Sequence, residues 1–248
     1  MDIRIFDTPD EVAAAVAQRV ADALAQQPAL VLGLPAGRTP VATYAKLCRL
    51  HAVGKADFGR ASAFNLDEFA GIAASHPGSF RTFMDRRLFA GVNLSPARIH
   101  FLNGAADDLD AECERYETVI QGAGGIDLQL LGIGSNAHIG FNEPGDALIA
   151  RTHRVRLADS TRRDNAALFG GDPAQVPLEA LSMGMGTILK AGVLALLATG
   201  ERKAASIEQA VRGPISTHLP ASFLQLHRRV ELYLDRAAAS RLTGGRST

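Results

Sequence analysis

Apolar positions along this chain fall into two alternating rhythms. Short contiguous runs of mostly branched residues, "DIRIF" (2–6), "ALVLGL" (29–34), "ASAFNL" (61–66), "RIHFL" (98–102), "IDLQLLGIG" (126–134), "VLALLAT" (193–199) and "VELYL" (230–234), predict strands. Between them apolar residues recur every three to four positions, which is the helical period. Thr8, Pro9 and Glu11 stand at N-cap, N1 and N3 of a capping box, ahead of a helix with Val12, Val16, Val20 and Leu24 on one face. A second helix is predicted to start at Thr39-Pro40 with Val41, Tyr44 and Leu47 turned inward. Further helices are marked by Phe80, Phe83, Met84 and Leu88, by Leu109, Cys113, Tyr116 and Ile120, and by Ile207 and Val211. Continuous apolar strands alternating with amphipathic helices predict an α/β fold, a mostly parallel sheet with helices on both faces. The least regular stretch, Asn142 to Pro177, is rich in Gly, Asp and Arg. An insertion of that length suits a lid or binding loop better than a linker.

Composition narrows the function more than the fold. The 248 residues, 47% of them hydrophobic, suffice for one α/β domain spanning 1–248. Lysine plus arginine equals aspartate plus glutamate, 26 each, so no net field draws the chain to nucleic acid or to an anionic membrane. Any positive site must be local. Cys48 and Cys113 fall in predicted helices without a CxxC partner or a histidine at ligand spacing, as in reduced thiols of a cytoplasmic protein. The acidic start "MDIRIFDTPDE" is unlike a signal peptide, and no run approaches about 18 apolar residues.

Three stretches carry candidate chemistry. In "GLPAGRTP" (33–40) a strand runs into a glycine bend and then a helix start. Free backbone N–H groups and the positive end of a helix dipole there suit a phosphate, although an ordinary βα turn has the same letters and the P-loop spacing is missing. In "FNLDEF" (64–69) a strand delivers Asp67 and Glu68 to the carboxyl edge of the sheet, where such folds bind ligands; adjacent carboxylates also serve as helix caps or solvated turns. In "LLGIGSNAHIGFNEPG" (130–145) a glycine-rich strand end presents Asn136, His138 and Glu143. The embedded G-x-G-x-x-A outlines a dinucleotide fingerprint, but Pro144 and Gly145 oppose the long helix which that motif requires. His138 and Glu143 read better as an acid/base pair, the carboxylate fixing the imidazole tautomer and raising its basicity. No HExxH, cysteine cluster or paired histidines at ligand spacing support a metal site.

Taken in order, "GLPAGRTP", "FNLDEF", "HPGSF", "LLGIGSNAHIGFNEPG", "TRRDNA", "VPLEALSMGMGTIL" and "ASFLQLH" resemble the glucosamine-6-phosphate deaminases over nearly the whole chain. The related 6-phosphogluconolactonases typically lack the Phe-Asn-Glu-Pro element and carry an arginine where this chain has Phe69. The resemblance implies a Rossmann-like α/β fold, no organic cofactor, and conversion of glucosamine 6-phosphate and water to fructose 6-phosphate and ammonium. It implies Asp67 as the base that moves the C2 proton, and His138 with Glu143 and Asn136 as the ring-opening group. Gly37, Arg38, Thr39 and Lys203 would hold the phosphate. The alternatives are a lactone hydrolase, a deaminase of another amino-sugar phosphate such as the galactosamine epimer, or a sugar-phosphate sensor.

The departures from that pattern matter as much. Many members of the family have Asp at position 136; Asn136 carries no charge and orients rather than acts as a base. The family usually has an arginine at the position of Ala167, where it helps hold the substrate phosphate. This chain instead has Arg38 where a small residue is usual, so Arg38 is expected to replace the missing guanidinium. The allosteric branch carries basic residues at the positions of His153 and Val155 and a tail beyond Thr248. No activation by N-acetylglucosamine 6-phosphate is therefore expected, and a monomer or a small homo-oligomer.

Overall fold

The computed structural model describes residues 1–243. The chain opens with β1 (Asp2–Phe6), α1 (Pro9–Gln26), β2 (Val31–Leu34), α2 (Val41–Ala52) and β3 (Ser62–Asn65). There follow β4 (Asp67–Phe69), α3 (Phe80–Arg87), β5 (Ile99–His100), α4 (Leu109–Gly122) and β6 (Leu128–Leu131). Next are β7 (His153–Arg156), α5 (Asp159–Asn165), β8 (Glu179–Ser182), α6 (Met185–Leu189) and β9 (Val193–Ala198), then α7 (Ala204–Arg212), β10 (Val230–Asp235) and α8 (Ser240–Thr243).

Seven strands form one parallel sheet in the order β1-β10-β9-β6-β2-β3-β5. All six residues of β9 are buried, which explains its unbroken apolar run. Side chains alternate across a strand, and the run is accordingly divided: Leu194 and Leu196 enter one core with Tyr116 of α4 and Ile207 of α7, while Ala195 and Leu197 enter the other with Val16 of α1 and Tyr44 of α2. Helices thus cover both faces, as expected of a Rossmann-like α/β fold. The first helix is set by local chemistry: Thr8 accepts from the Glu11 N–H while the Glu11 carboxylate accepts from the Thr8 N–H, at 3.2 Å each.

Several boundaries differ from the sequence pattern. "RIHFL" pairs only through Ile99 and His100, because β5 is an edge strand with a single neighbour. "IDLQLLGIG" stops pairing at Leu131, after which the backbone leaves the sheet. Helix α2 starts one residue late, at Val41 with Pro40 at the N-cap and no side-chain cap, and Val41 is only half-buried. The greater departure is a second, three-stranded antiparallel sheet, β4-β8-β7. It takes β4 out of the "FNLDEF" strand and β7 out of the irregular 142–177 stretch, which also contains α5. A third core, built on Phe69, Phe80, Phe141 and Phe169, ties this sheet to the segment around α5. Cys113 is buried and Cys48 half-buried, and both are free. The chain end at Thr248, which entered the expectation of no effector response, lies outside the described residues.

Candidate active site

From the β1 edge the chain moves to the middle of the large sheet, walks outward through β2, β3 and β5, then returns to β6 beside β2 and proceeds through β9 to β10, back beside β1. The carboxyl ends of β2 and β6 therefore flank the switch point, where open α/β sheets bind ligands. A cavity of about 220 Å³ lies there. Gly37, Arg38 and Thr39 line it from the loop after β2, Asp67 from β4, Gly134 and His138 from the loop after β6, and Ala167 and Lys203 complete the lining. The two catalytic candidates separated by 71 positions thus face one space.

β4 separates the roles of its two acids, because successive side chains of a strand point to opposite sides. Glu68 is buried and accepts the backbone N–H groups of Phe69, Phe80 and Arg81, each at 2.9 Å, so it caps the start of α3. Burial raises its pKa in spite of these bonds. Asp67, 6% exposed, has a carboxylate that makes no hydrogen bond within the described residues. Burial first, and the Glu68 charge second, push its pKa well above the usual carboxylate range. A poorly solvated, unpaired carboxylate at a cavity wall is a strengthened base.

The turn after β6 is built around the imidazole. Gly134 N–H donates to the His138 carbonyl at 2.9 Å, and Ala137, at φ 65°, holds a left-handed conformation that costs a residue with a Cβ. A Cβ on Gly134 would lie 2.4 to 2.6 Å from the His138 ring. Gly134→Ala should therefore displace His138; we expect about 10²-fold lower kcat with an unchanged circular dichroism spectrum, the loss typical of a misplaced catalytic group. His138 Nδ1 is buried without a hydrogen-bond partner and stands 3.6 Å from Glu143 Oε2. Glu143 is fixed from three sides: Asn136 Nδ2 donates to Oε2 at 2.9 Å, Thr161 Oγ1 to Oε1 at 2.5 Å, and the Ala158 N–H to Oε1 at 3.4 Å. Asn136 Oδ1 in turn accepts the His138 N–H at 3.2 Å.

Burial works to raise the Glu143 pKa, but the neighbouring imidazole and the Thr161 and Asn136 bonds outweigh it and bring it down to about 2 from 4.5. A depressed carboxylate contributes stability that is complete above its unfolded value near 4.5 and is lost as pH falls through the folded value near 2. Glu143→Gln should therefore be less stable than the wild type at pH 7. Urea unfolding should show that gap narrowing as pH falls below 4.5.

The phosphate-binding candidates gather at the other end. Gly37, at φ 103°, turns the loop between β2 and α2, and Tyr44 braces it by donating to the Pro35 carbonyl at 2.5 Å. Arg38 is exposed and Lys203 half-buried, and neither side chain has a hydrogen bond or salt bridge within the described residues. Burial first, then the charges of Arg38 and Arg202, lower the Lys203 pKa, while Asp164 opposes the shift. Ala167 presents a methyl group where the resemblance implied a guanidinium. Glu68 caps a helix, one of the readings the adjacent carboxylates had offered, whereas two contributors were missed in the sequence: Thr161 on Glu143, and Asp164 beside Lys203. Thr161 and Asp164 lie in the "TRRDNA" stretch, so the signal was present without its partners. Among the described residues no group of three His, Cys, Asp or Glu side chains is arranged to hold a metal ion, and no helix is long and apolar enough to cross a membrane.

The fold is that of an α/β protein with a crevice at the switch point of its parallel sheet. A family described as glucosamine-6-phosphate isomerases/6-phosphogluconolactonase matches residues 7–233, and the chain belongs to it. Glucosamine-6-phosphate deaminase of Shewanella loihica is 47% identical over 242 residues, 98% of this chain and 90% of its own. Glucosamine-6-phosphate deaminase 2 of Bacillus subtilis is 44% identical over 243 residues, 98% of each chain. A solved monomeric glucosamine-6-phosphate deaminase matches with TM-score 0.94 and 42% identity, covering 97% of this chain and all of that one. The 6-phosphogluconolactonase from Trypanosoma cruzi, TM-score 0.79 and 18% identical over 98% of this chain and 97% of its own, shares the fold.

Proposed function

We propose that this chain is an enzyme that converts glucosamine 6-phosphate and water to fructose 6-phosphate and ammonium, an aldose-ketose isomerising deamination. The observation that carries the reading is one cavity holding an unpaired, poorly solvated Asp67, the His138–Glu143 pair, and two unpartnered cations at Arg38 and Lys203. The phosphate binds the Gly37–Thr39 loop, Arg38 and Lys203, which places the sugar ring toward Asp67 and His138. His138, oriented by Glu143, delivers a proton to the ring oxygen and removes one from the anomeric hydroxyl, opening the hemiacetal. Asp67 then takes the proton from C2 of the open-chain amino aldehyde. Its electrons form the enolamine, and a proton returned to C1 leaves an iminium at C2. Water adds to that carbon and ammonium departs, giving the ketose. Asn136 donates to Glu143 and cannot serve as a base, so it acts by position. Arg38 takes the place of the guanidinium that Ala167 lacks.

The segment 142–177 serves as the lid of one domain, shielding the enolamine from water. The protein works in the cytoplasm as a monomer or small homo-oligomer, and its saturation curves are hyperbolic without N-acetylglucosamine 6-phosphate. The test is to incubate purified protein with glucosamine 6-phosphate and with its galacto epimer, assaying both ammonium and ketose, beside a lactone hydrolysis assay. Equal amounts of ammonium and fructose 6-phosphate from the gluco substrate are expected. Lactone hydrolysis with no ammonium would overturn the reading.

A further inference from the structure

Glu143 is held from two parts of the chain, one for each carboxylate oxygen. Oε2 accepts from Asn136 Nδ2 and faces His138 Nδ1, both in the turn after β6. Oε1 is turned to α5, where it accepts the Thr161 hydroxyl at 2.5 Å and the Ala158 N–H at 3.4 Å. The second of these is long for an N–H···O bond, so Thr161 is the principal hold on that oxygen. A threonine within a helix can return its hydroxyl to a carbonyl one turn earlier. Thr161, 1% exposed and in the first turn of α5, gives it to the carboxylate instead.

Neither Glu143 nor Thr161 lines the active-site cavity, whereas His138 does. Their effect on the reaction therefore passes through the imidazole. The support from which Thr161 reaches Glu143 is itself secured. Asn165 Nδ2 donates to the Thr161 carbonyl at 2.9 Å, and the Arg162 guanidinium donates to the Pro173 and Val176 carbonyls at 2.9 and 3.1 Å. Phe169, just beyond α5, packs into the third core. A glutamate side chain has several rotatable bonds, and it keeps a single orientation toward a catalytic partner only when hydrogen bonds from behind fix it.

We infer that Thr161 is a positioning residue for ring opening: its hydroxyl locks the Glu143 carboxylate in the orientation that faces His138. The step it assists rests on the deaminase reading, whereas the hold on Glu143 does not. Without the hydroxyl, Oε1 keeps only the Ala158 N–H, the carboxylate turns more freely, and His138 loses its oriented partner. Phosphate binding and proton removal by Asp67 are untouched.

Thr161→Val keeps the shape and removes the donor, and Thr161→Ser keeps the donor. The first readout needs no activity. The Glu143 carboxyl, identified by its absence in Glu143→Gln, is titrated by carbon-13 NMR on the full chain; the titratable group bearing on it is His138, from the turn after β6. Hydrogen bonds to a carboxylate favour its charged form. The titration should therefore move up from about 2 toward 4.5 in Thr161→Val and stay near 2 in Thr161→Ser. The second readout is kinetic. In Thr161→Val, kcat should fall about tenfold, the effect of losing one charge-assisted hydrogen bond, with KM within about twofold, and Thr161→Ser should recover most of it. The isotope effect with glucosamine 6-phosphate deuterated at C2 should shrink toward unity in Thr161→Val, because slow ring opening hides the C2 step. An unmoved Glu143 titration in Thr161→Val would overturn the proposal, as would an unchanged kcat or a kcat loss with an undiminished isotope effect. An equal loss in Thr161→Ser would overturn it too, since packing and not the hydroxyl would then be the cause. A moved titration in a protein that releases no ammonium would support the hold on Glu143 and remove the deaminase reading alone.

Discussion

Asp67→Asn should lose about 10³-fold in kcat, the usual size of a general-base contribution, and should at the same time melt at a higher temperature at pH 7.5. Both effects have one cause. The carboxylate is buried, unpaired and next to the Glu68 charge, which raises its pKa well above 3.8. A folded-state pKa raised above the unfolded value means stability that is complete below 3.8 and lost as pH rises through the folded value. At pH 7.5 the wild type therefore carries the cost of holding this carboxyl group in a buried place, and Asn removes the titration while keeping the shape. The melting-temperature gap should close as pH is lowered toward 4. A variant that is inactive yet no more stable at pH 7.5 would show that Asp67 is solvated or paired in solution, and its strengthened basicity would be lost with that.

Arg38→Ala should raise KM for glucosamine 6-phosphate by about 10- to 100-fold, with kcat within a few-fold of the wild type. A charge-assisted bond contributes about 1.5–3 kcal/mol, and each 1.4 kcal/mol is about tenfold in affinity. The phosphate does not change charge in the reaction, so its clamp binds ground and transition states alike and the loss appears in KM. The decisive experiment is the double variant: Ala167→Arg in the Arg38→Ala background should recover most of the lost affinity, because a guanidinium re-enters the same cavity. An unchanged KM in Arg38→Ala would show that Lys203 and the loop N–H groups hold the phosphate without it.

The parallel sheet was legible in the sequence because its strands are buried on both faces and read as continuous apolar runs; β9 is the plainest case. The first helix was legible because Thr8, Pro9 and Glu11 form a motif that closes within four residues. The antiparallel sheet was not. β4 has three residues and β7 reads His-Arg-Val-Arg, half-exposed, so neither carries a buried-strand pattern, and their pairing partner β8 lies 23 or more residues away. "FNLDEF" looked like a single strand end for the same reason. Alternation along a strand assigns Asp67 and Glu68 to opposite sides, but which side holds the cavity depends on where β8 and α3 pack.

Residue type and spacing determined by themselves that Asp67, Asn136, His138 and Glu143 were candidates, since chemical character and motif order are local properties; Lys203 came from the family resemblance. Only the tertiary structure decided that Asp67 and His138 share one cavity, that Thr161 anchors Glu143, and that Arg38 and Lys203 line that same cavity. Those facts depend on contacts between segments far apart in the chain, and no local pattern encodes the direction in which a loop turns once it leaves the sheet.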